Sequence, residues 1–138
     1  MCAVAAGERD ATKIGESAHA VAVLERFPCR RGHAVVVLRE HEERLERLPP
    51  AIWLELHELA HRVAQRIDAE LRPVRTFVCA LGSATQRVNS FPHVHLHVIP
   101  LYDGGEADRP AEVLTWSNGV FVYDPEEEAE LVRTLKLA

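Results

Sequence analysis

Cysteine is scarce in this 138-residue chain, and no Cys-x-x-Cys occurs. Cys2, Cys29 and Cys79 are odd in number and show no paired spacing. That excludes a disulfide framework and points to reduced thiols, so a cytoplasmic location is expected. Long apolar runs are also missing: stretches such as Ala34–Leu38 are far too short to cross a bilayer,. No basic-then-apolar leader opens the sequence, and no membrane association is expected,. Positive charge is in deficit, with 16 Lys and Arg against 21 Asp and Glu and a net charge of −5. This argues against non-specific binding to nucleic acid or anionic lipid, while leaving room for a small phosphate ligand held by a local field. There is no internal repeat, low-complexity tract or interdomain linker. The hydrophobic fraction of 47% and charged fraction of 27% are those of a soluble globular protein,. One domain over residues 1–138 is expected, large enough to bury roughly two-thirds of its unfolded surface.

What the chain does have is histidine in a pattern. In Ser90-Phe91-Pro92-His93-Val94-His95-Leu96-His97-Val98-Ile99-Pro100, three histidines alternate with three aliphatic residues. Alternation at period two is the signature of a half-buried strand. It predicts three imidazoles on one face, neighbours about 6.5–7 Å apart at a rise of roughly 3.3 Å per residue. Val94, Leu96 and Val98 then face the core and fix the register, because a one-residue slip would bury the imidazoles instead. Pro100 cannot donate to a ladder and suits the strand's end or an edge. Such an array can ligate a metal, form polar surface, or act as an acid–base and nucleophilic group near neutral pH.

The surrounding elements follow from periodicity and breakers. Residues 1–17 carry little structural signal. Ala18–Leu24 and Ala34–Leu38 read as strands joined across Pro28–Gly32, which suggests an antiparallel pair. His41–Leu48 is charged and suits a turn or two of helix. Pro49-Pro50 opens a long helix to about Leu71, closed by Pro73, with Ile52, Leu56, Leu59, Val63 and Ile67 as its apolar stripe,. Val74–Leu81 reads as a third strand. Gly104-Gly105 and Pro110 mark an exposed loop, and Gly119–Tyr123 reads as a last strand. Asp124-Pro125 followed by Glu126, Glu127 and Glu128 is a well-capped helix start. The whole is an α+β domain on a mainly antiparallel five-stranded sheet, with one long and one C-terminal helix.

His57-Glu58-Leu59-Ala60-His61 matches the zinc-protease pattern H-E-x-x-H,. At ~100° per residue, however, the two histidines lie ~100–140° from the apolar stripe. No third ligand follows in an obvious place, so these residues are expected to form a solvated helix face.

His93-x-His95-x-His97 followed by two aliphatics resembles the signature of the histidine triad superfamily of nucleotide hydrolases and transferases. Ala22-Val23-Leu24-Glu25-Arg26-Phe27-Pro28, then Gly32-His33-Ala34-Val35-Val36-Val37 and His41, resembles the first half of that family. Val88-Asn89-Ser90 stands where members usually carry Gly-Gln-Ser/Thr. The resemblance covers residues ~20 to 100, most of the domain. It implies a homodimeric half-barrel architecture acting on a purine nucleotide or nucleoside polyphosphate. In that reading His95 attacks the α-phosphorus and becomes nucleotidylated, His97 and Ser90 contact the phosphate and leaving group, and His93 orders the array. Glu25 takes the ribose hydroxyls, which suits a carboxylate that can accept two hydrogen bonds. Asn89, His33 and Leu24 join the nucleotide-binding set, with an apolar pocket around Val23 and Leu24.

Three departures from the family pattern matter. Gly82 stands where an Asn or Gln is common, eleven residues before the triad. Leu101-Tyr102-Asp103-Gly104-Gly105 replaces more basic or Gly-rich continuations. Some members bind zinc through an N-terminal Cys-x-x-Cys, the equivalent of His41 and the first triad histidine. Here Cys2 is followed three residues later by Ala5, so no zinc and no cofactor are expected. Two alternatives stay open: a nucleotide-binding module without catalysis, and a metalloprotein with His93, His95 and His97 as ligands.

Overall fold

The computed structural model describes Val4, Gly7 and residues 10–82 and 92–138. Five strands form one antiparallel sheet: β1 (Lys13–Glu16), β2 (Ala20–Leu24), β3 (Ala34–Leu38), β4 (Arg75–Cys79) and β5 (His95–Leu101). Their spatial order is β1-β2-β3-β5-β4, with every neighbouring pair antiparallel. The long helix α1 (Pro50–Leu71) lies between β3 and β4 in sequence, followed after β5 by α2 (Pro110–Val113) and α3 (Pro125–Leu135).

The sheet has two faces because its side chains alternate. On one, Ala20, Ala22, Leu24, Ala34, Val36, Leu38, Leu96 and Val98 pack against Leu56, Leu59, Ala60, Val63 and Ile67 of α1 and Leu131 and Leu135 of α3. The predicted stripe of α1 is thus its buried face, Ile52 being half-buried against it. The other face carries Val21, Val23, Val35 and Val37 as a second apolar cluster. At the far end of β5 on this face, Ile99 and Leu101 join Cys29, Val113, Phe77 and Trp116.

Several boundaries match expectation. Asp124 caps α3 by accepting from the Glu126 N–H at 3.0 Å, and Pro125 occupies the first turn. The fifth strand does not match. Gly119–Tyr123 forms no strand; Val122 is 83% exposed, and Phe121 N–H bonds to the Pro28 carbonyl at 2.7 Å instead of to a ladder. The fifth strand is β1, in the stretch with the weakest sequence signal. Ile14 is its one buried aliphatic side chain, and a register shift between Lys13 and Gly15 breaks the alternation. His41–Leu48 contributes only the short turn Leu45–Arg47. The β5 ladder begins at His95, leaving His93 in the bend before it. Among the described residues, no helix is long and apolar enough to cross a membrane.

Candidate functional site

Antiparallel register assembles the site. His97 stands opposite Val35 and His95 opposite Val37, so both imidazoles rise from the sheet face that α1 does not cover. Two residues before Val35, on the same face, lies His33. Backbone pairing between Glu25 N–H and the His33 carbonyl (2.9 Å) brings Glu25 alongside. Glu25, His33 and His97 are all buried, and each offers a polar atom within 4.8 Å of the others.

Hydrogen bonding fixes the tautomers in sequence. The Cys29 backbone N–H donates to His33 Nδ1 at 3.2 Å. A neutral imidazole has one donor and one acceptor nitrogen, so the His33 proton sits on Nε2. His33 Nε2 then donates to His97 Nδ1 at 2.9 Å, which places the His97 proton on Nε2. That buried Nε2–H has no hydrogen-bond partner among the described residues. His95 is set differently: its Nδ1 lies 2.7 Å from the His93 carbonyl, which can only accept, so Nδ1 carries the proton and Nε2 the lone pair. His93 in turn donates from Nε2 to the Leu38 carbonyl at 2.6 Å.

Burial keeps all four imidazoles neutral. It holds His33 well below the usual histidine range, helped by His97 and His95, and brings His97 down to about 3. His93 and His95 are lowered by burial too, partly offset by their backbone hydrogen bonds. Desolvation penalises the charged form, so at pH 7 the array is one of neutral nucleophiles, donors and acceptors.

The expected site residues are partly united. His95 and His97 are adjacent, ring centroids 4.9 Å apart, with Glu25 and His33 beside them. His33 is fully buried with both nitrogens engaged, behind His97. Leu24 points into the core on the α1 face; Val23, like Val21, lies on the imidazole face. His93 turns toward Leu38 and His41, 5.4 Å between the two ring centroids, so the triad is not a single straight row. Asn89 and Ser90 lie outside the described residues. One site neighbour carried no sequence motif: Trp116, 5.8 Å by ring centroid from both His33 and His97. The only hint was a large aromatic beside the turn residues Ser117-Asn118-Gly119. On α1, His57 donates to the Trp53 carbonyl at 2.9 Å and Glu58 and His61 are exposed, a solvated face as expected.

The family model for the HIT domain matches residues 6–104. The chain belongs to the histidine triad family. Among its HIT relatives, an uncharacterized HIT-like protein of Mycobacterium tuberculosis is 30% identical over 130 residues, 94% of this chain and 85% of that protein. An adenosine 5′-monophosphoramidase of Schizosaccharomyces pombe is 28% identical over 101 residues, 72% of this chain and 71% of that one. A zinc-bound histidine triad family protein from Mycobacterium smegmatis superposes with a TM-score of 0.73 at 26% identity, covering 97% of this chain and 89% of that one. The HIT zinc set does not fit here. His41 and His93 do meet, but Ala5 stands at the second cysteine position, one donor short of a four-ligand zinc,. A cation on His33 would also have to break one of that ring's two hydrogen bonds.

Proposed function

We propose that this HIT protein hydrolyses or transfers at the α-phosphate of a nucleoside phosphate derivative through a nucleotidyl-histidine on His95. The observation that carries this reading is the His95 Nδ1 contact with the His93 carbonyl, which leaves the Nε2 lone pair of a neutral imidazole available for attack. In the first step that lone pair forms a bond to the α-phosphorus. The bond to the leaving group breaks, and the leaving group departs with its electron pair and gains a proton from solvent. In the second step water attacks phosphorus and loses a proton to solvent, and the phosphorus–Nε2 electrons return to His95. Covalent capture splits one difficult displacement into two easier ones.

The remaining residues stabilise charge. His97 Nε2–H, a buried donor without a partner among the described residues, is matched by a phosphoryl oxygen, a preorganised donor aimed at developing negative charge,. Glu25 accepts from the ribose hydroxyls, and Ser90 and Asn89 complete the phosphate contacts. The phosphoramidase activity of the Schizosaccharomyces pombe relative supports phosphoramidates as one substrate class. A homodimer joined through β4 is part of the same reading. Among the described residues β4 pairs with β5 alone, and Val78 is 43% exposed on it. Sedimentation should give about twice the 15.5 kDa chain mass at micromolar concentration,.

The decisive experiment is rapid mixing with labelled adenylyl phosphoramidates, dinucleoside polyphosphates and nucleotide sugars, followed by denaturation and peptide mapping. The expected result is an acid-labile, base-stable adduct on His95 that is lost, with turnover, in His95→Asn. Wild-type kcat in His95→Asn would exclude covalent catalysis by this residue. Tight nucleotide binding without turnover of any substrate would identify a silent binding module instead.

A further inference from the structure

The amide that sets the His33 tautomer belongs to the turn 28–32, and a distant loop holds that turn. Cys29 donates its N–H to His33 Nδ1, and its carbonyl accepts from Arg30 Nη1 at 2.7 Å. Through Nη2 the same guanidinium donates to the Ala107 carbonyl at 2.6 Å, 77 positions away. Nη2 also lies 3.6 Å from Asp108 Oδ1, in an ion pair whose side chains are only 14% and 5% exposed. Asp108 is itself anchored: its Oδ2 accepts from the Asp103 N–H at 2.9 Å and the Gly104 N–H at 2.7 Å. Its Oδ1 accepts no hydrogen bond among the described residues, so the Arg30 charge is what balances it. The Arg30 backbone completes the turn, its carbonyl accepting from the His33 N–H at 3.1 Å. Asp108 stands beyond residue 104, where the HIT match ends.

We propose that Arg30 and Asp108 are positioning residues for the reaction: they keep the Cys29 amide on His33 Nδ1 and so preserve the Nε2–H donor of His97. This rests on the reading that the His97 donor meets a phosphoryl oxygen. The Cys29–His33 contact is the weak link of the relay, 3.2 Å against 2.9 Å for His33–His97. Were the amide to draw back, His33 Nδ1 would face Cys29 Sγ, 3.5 Å away, a thiol that both donates and accepts,. A proton on Nδ1 would then be tolerated, and His33 Nε2 would accept from His97 Nδ1. That reverses the relay and leaves a lone pair on His97 Nε2, which a phosphoryl oxygen cannot use. Arginine suits the task because its planar fork grips the Cys29 and Ala107 carbonyls at once while its charge faces Asp108,.

Arg30→Lys tests this, because it keeps a positive charge against Asp108 but cannot grip both carbonyls. Nitrogen-15 NMR of the ligand-free protein should show the Nε2–H tautomer of His97 dominant in the parent and mixed in Arg30→Lys. With an adenosine 5′-phosphoramidate as substrate, kcat should fall roughly tenfold to a hundredfold while KM changes little. Asp108→Asn keeps an oxygen for the Asp103 and Gly104 amides but drops the charge, and should move both readouts the same way by less. A double-variant cycle separates positioning from packing. In His33→Leu the relay is already cut, so adding Arg30→Lys should cost no further kcat, whereas a packing defect would lower kcat in both backgrounds alike. Parental His97 tautomers in folded Arg30→Lys, unchanged kcat, or losses that add in the double variant would each overturn the proposal. Should Arg30→Lys not fold, Asp108→Asn carries the same cycle with the same overturning results. Absence of turnover in the parent removes the His95 reading instead, and an unmoved His97 tautomer then still overturns the Arg30–Asp108 role on its own.

Discussion

His33 and His97 lie 64 positions apart in sequence and share one buried hydrogen bond, 2.9 Å from His33 Nε2 to His97 Nδ1. Because the Cys29 N–H occupies the other nitrogen of His33, this bond has a fixed direction. The consequence reaches His97, whose remaining nitrogen must then be a donor. A backbone amide in the turn after β2 thus sets the proton on a side chain of β5. On the proposed reading, with both of its nitrogens engaged, His33 acts through His97 as a positioning residue.

Replacing His33 with Leu should therefore lower kcat roughly tenfold to a hundredfold while KM changes little, since the lost interaction concerns charge developing at phosphorus. His33→Gln, whose amide can still donate to His97 Nδ1, should recover part of the loss. Nitrogen-15 NMR of His97 gives a readout that a packing defect would not: the Nε2–H tautomer should dominate in the parent and become mixed in His33→Leu. Unchanged His97 tautomer populations in His33→Leu would remove His33 from this role.

Acid should weaken the fold already in the range where a free imidazole takes up its proton. Burial holds His97 near pKa 3, whereas an unfolded imidazole titrates near 6.5,. Below about pH 6.5 the unfolded chain binds a proton that the folded chain excludes, so stability falls as pH falls and levels off only near the folded pKa. For His97 alone the loss reaches about 2 kcal/mol at pH 5, from about 1.4 kcal/mol per pH unit. His33, His93 and His95 shift in the same direction and steepen the slope. Glu55, held down to about 2 chiefly by the Ser17 hydroxyl and the His19 N–H, contributes stability that is lost only as pH drops below about 4.5. Chemical denaturation between pH 7 and pH 5 should show the decline, and it should be shallower in His97→Gln. A flat profile over that window would contradict the neutral, buried array.

The parts legible in the sequence are those whose signal is local. Period-two alternation at 93–98 and the three- and four-residue spacing of Leu56, Leu59, Val63 and Ile67 each reflect a face buried against a single neighbouring layer. Gly119–Tyr123 has equally good β-formers and forms no strand, because side-chain preference yields a strand only where a sheet edge is available to pair,. Lys13–Glu16 pairs despite poor local preference, its backbone bonding to β2 around one buried Ile14. Leu24 and Val23 were inseparable in sequence as pocket residues; the register of β2 on β3 sends one to each face. The His33–His97 relay and Trp116 were not legible at all, because each depends on a contact across dozens of residues rather than on spacing.

Glu25 makes a separate claim on substrate choice. Its Oε1 accepts from the Phe27 N–H at 3.2 Å, which anchors the carboxylate at the turn while leaving capacity for a diol,. A 2′-deoxy nucleotide should bind about 1–3 kcal/mol more weakly than its ribo counterpart, since a buried acceptor is left unpaired. Calorimetry with the two nucleotides on the parent protein and on Glu25→Gln checks this, and the discrimination should shrink in the variant. Equal affinity for ribo and deoxy ligands in the parent would take Glu25 out of the site.

Gly32 ties the stability of the fold to the placement of His33. Its φ is +87°, and a Cβ there would lie 2.6 Å from Leu71 Cδ1 at the end of α1 and 3.3 Å from Pro100 Cγ. Its N–H also bonds the Tyr123 hydroxyl at 2.8 Å. Gly32→Ala therefore combines a left-handed backbone cost of about 1–2 kcal/mol with displacement of Leu71. Gly119 provides the control, with φ of +83° and, among the described residues, nothing within 4 Å of its would-be Cβ. Gly119→Ala should show the backbone cost alone, so Gly32→Ala should lower stability by about 1–3 kcal/mol more, the usual range for overpacking. Because His33 follows Gly32 directly, the same substitution should also lower kcat, whereas a pure stability defect would leave the kcat of the folded fraction unchanged. Paired denaturation curves and active-site-normalised kcat for the two alanine variants test both statements. Equal destabilisation by the two would show that Leu71 yields without cost and that only the backbone conformation demands glycine at position 32.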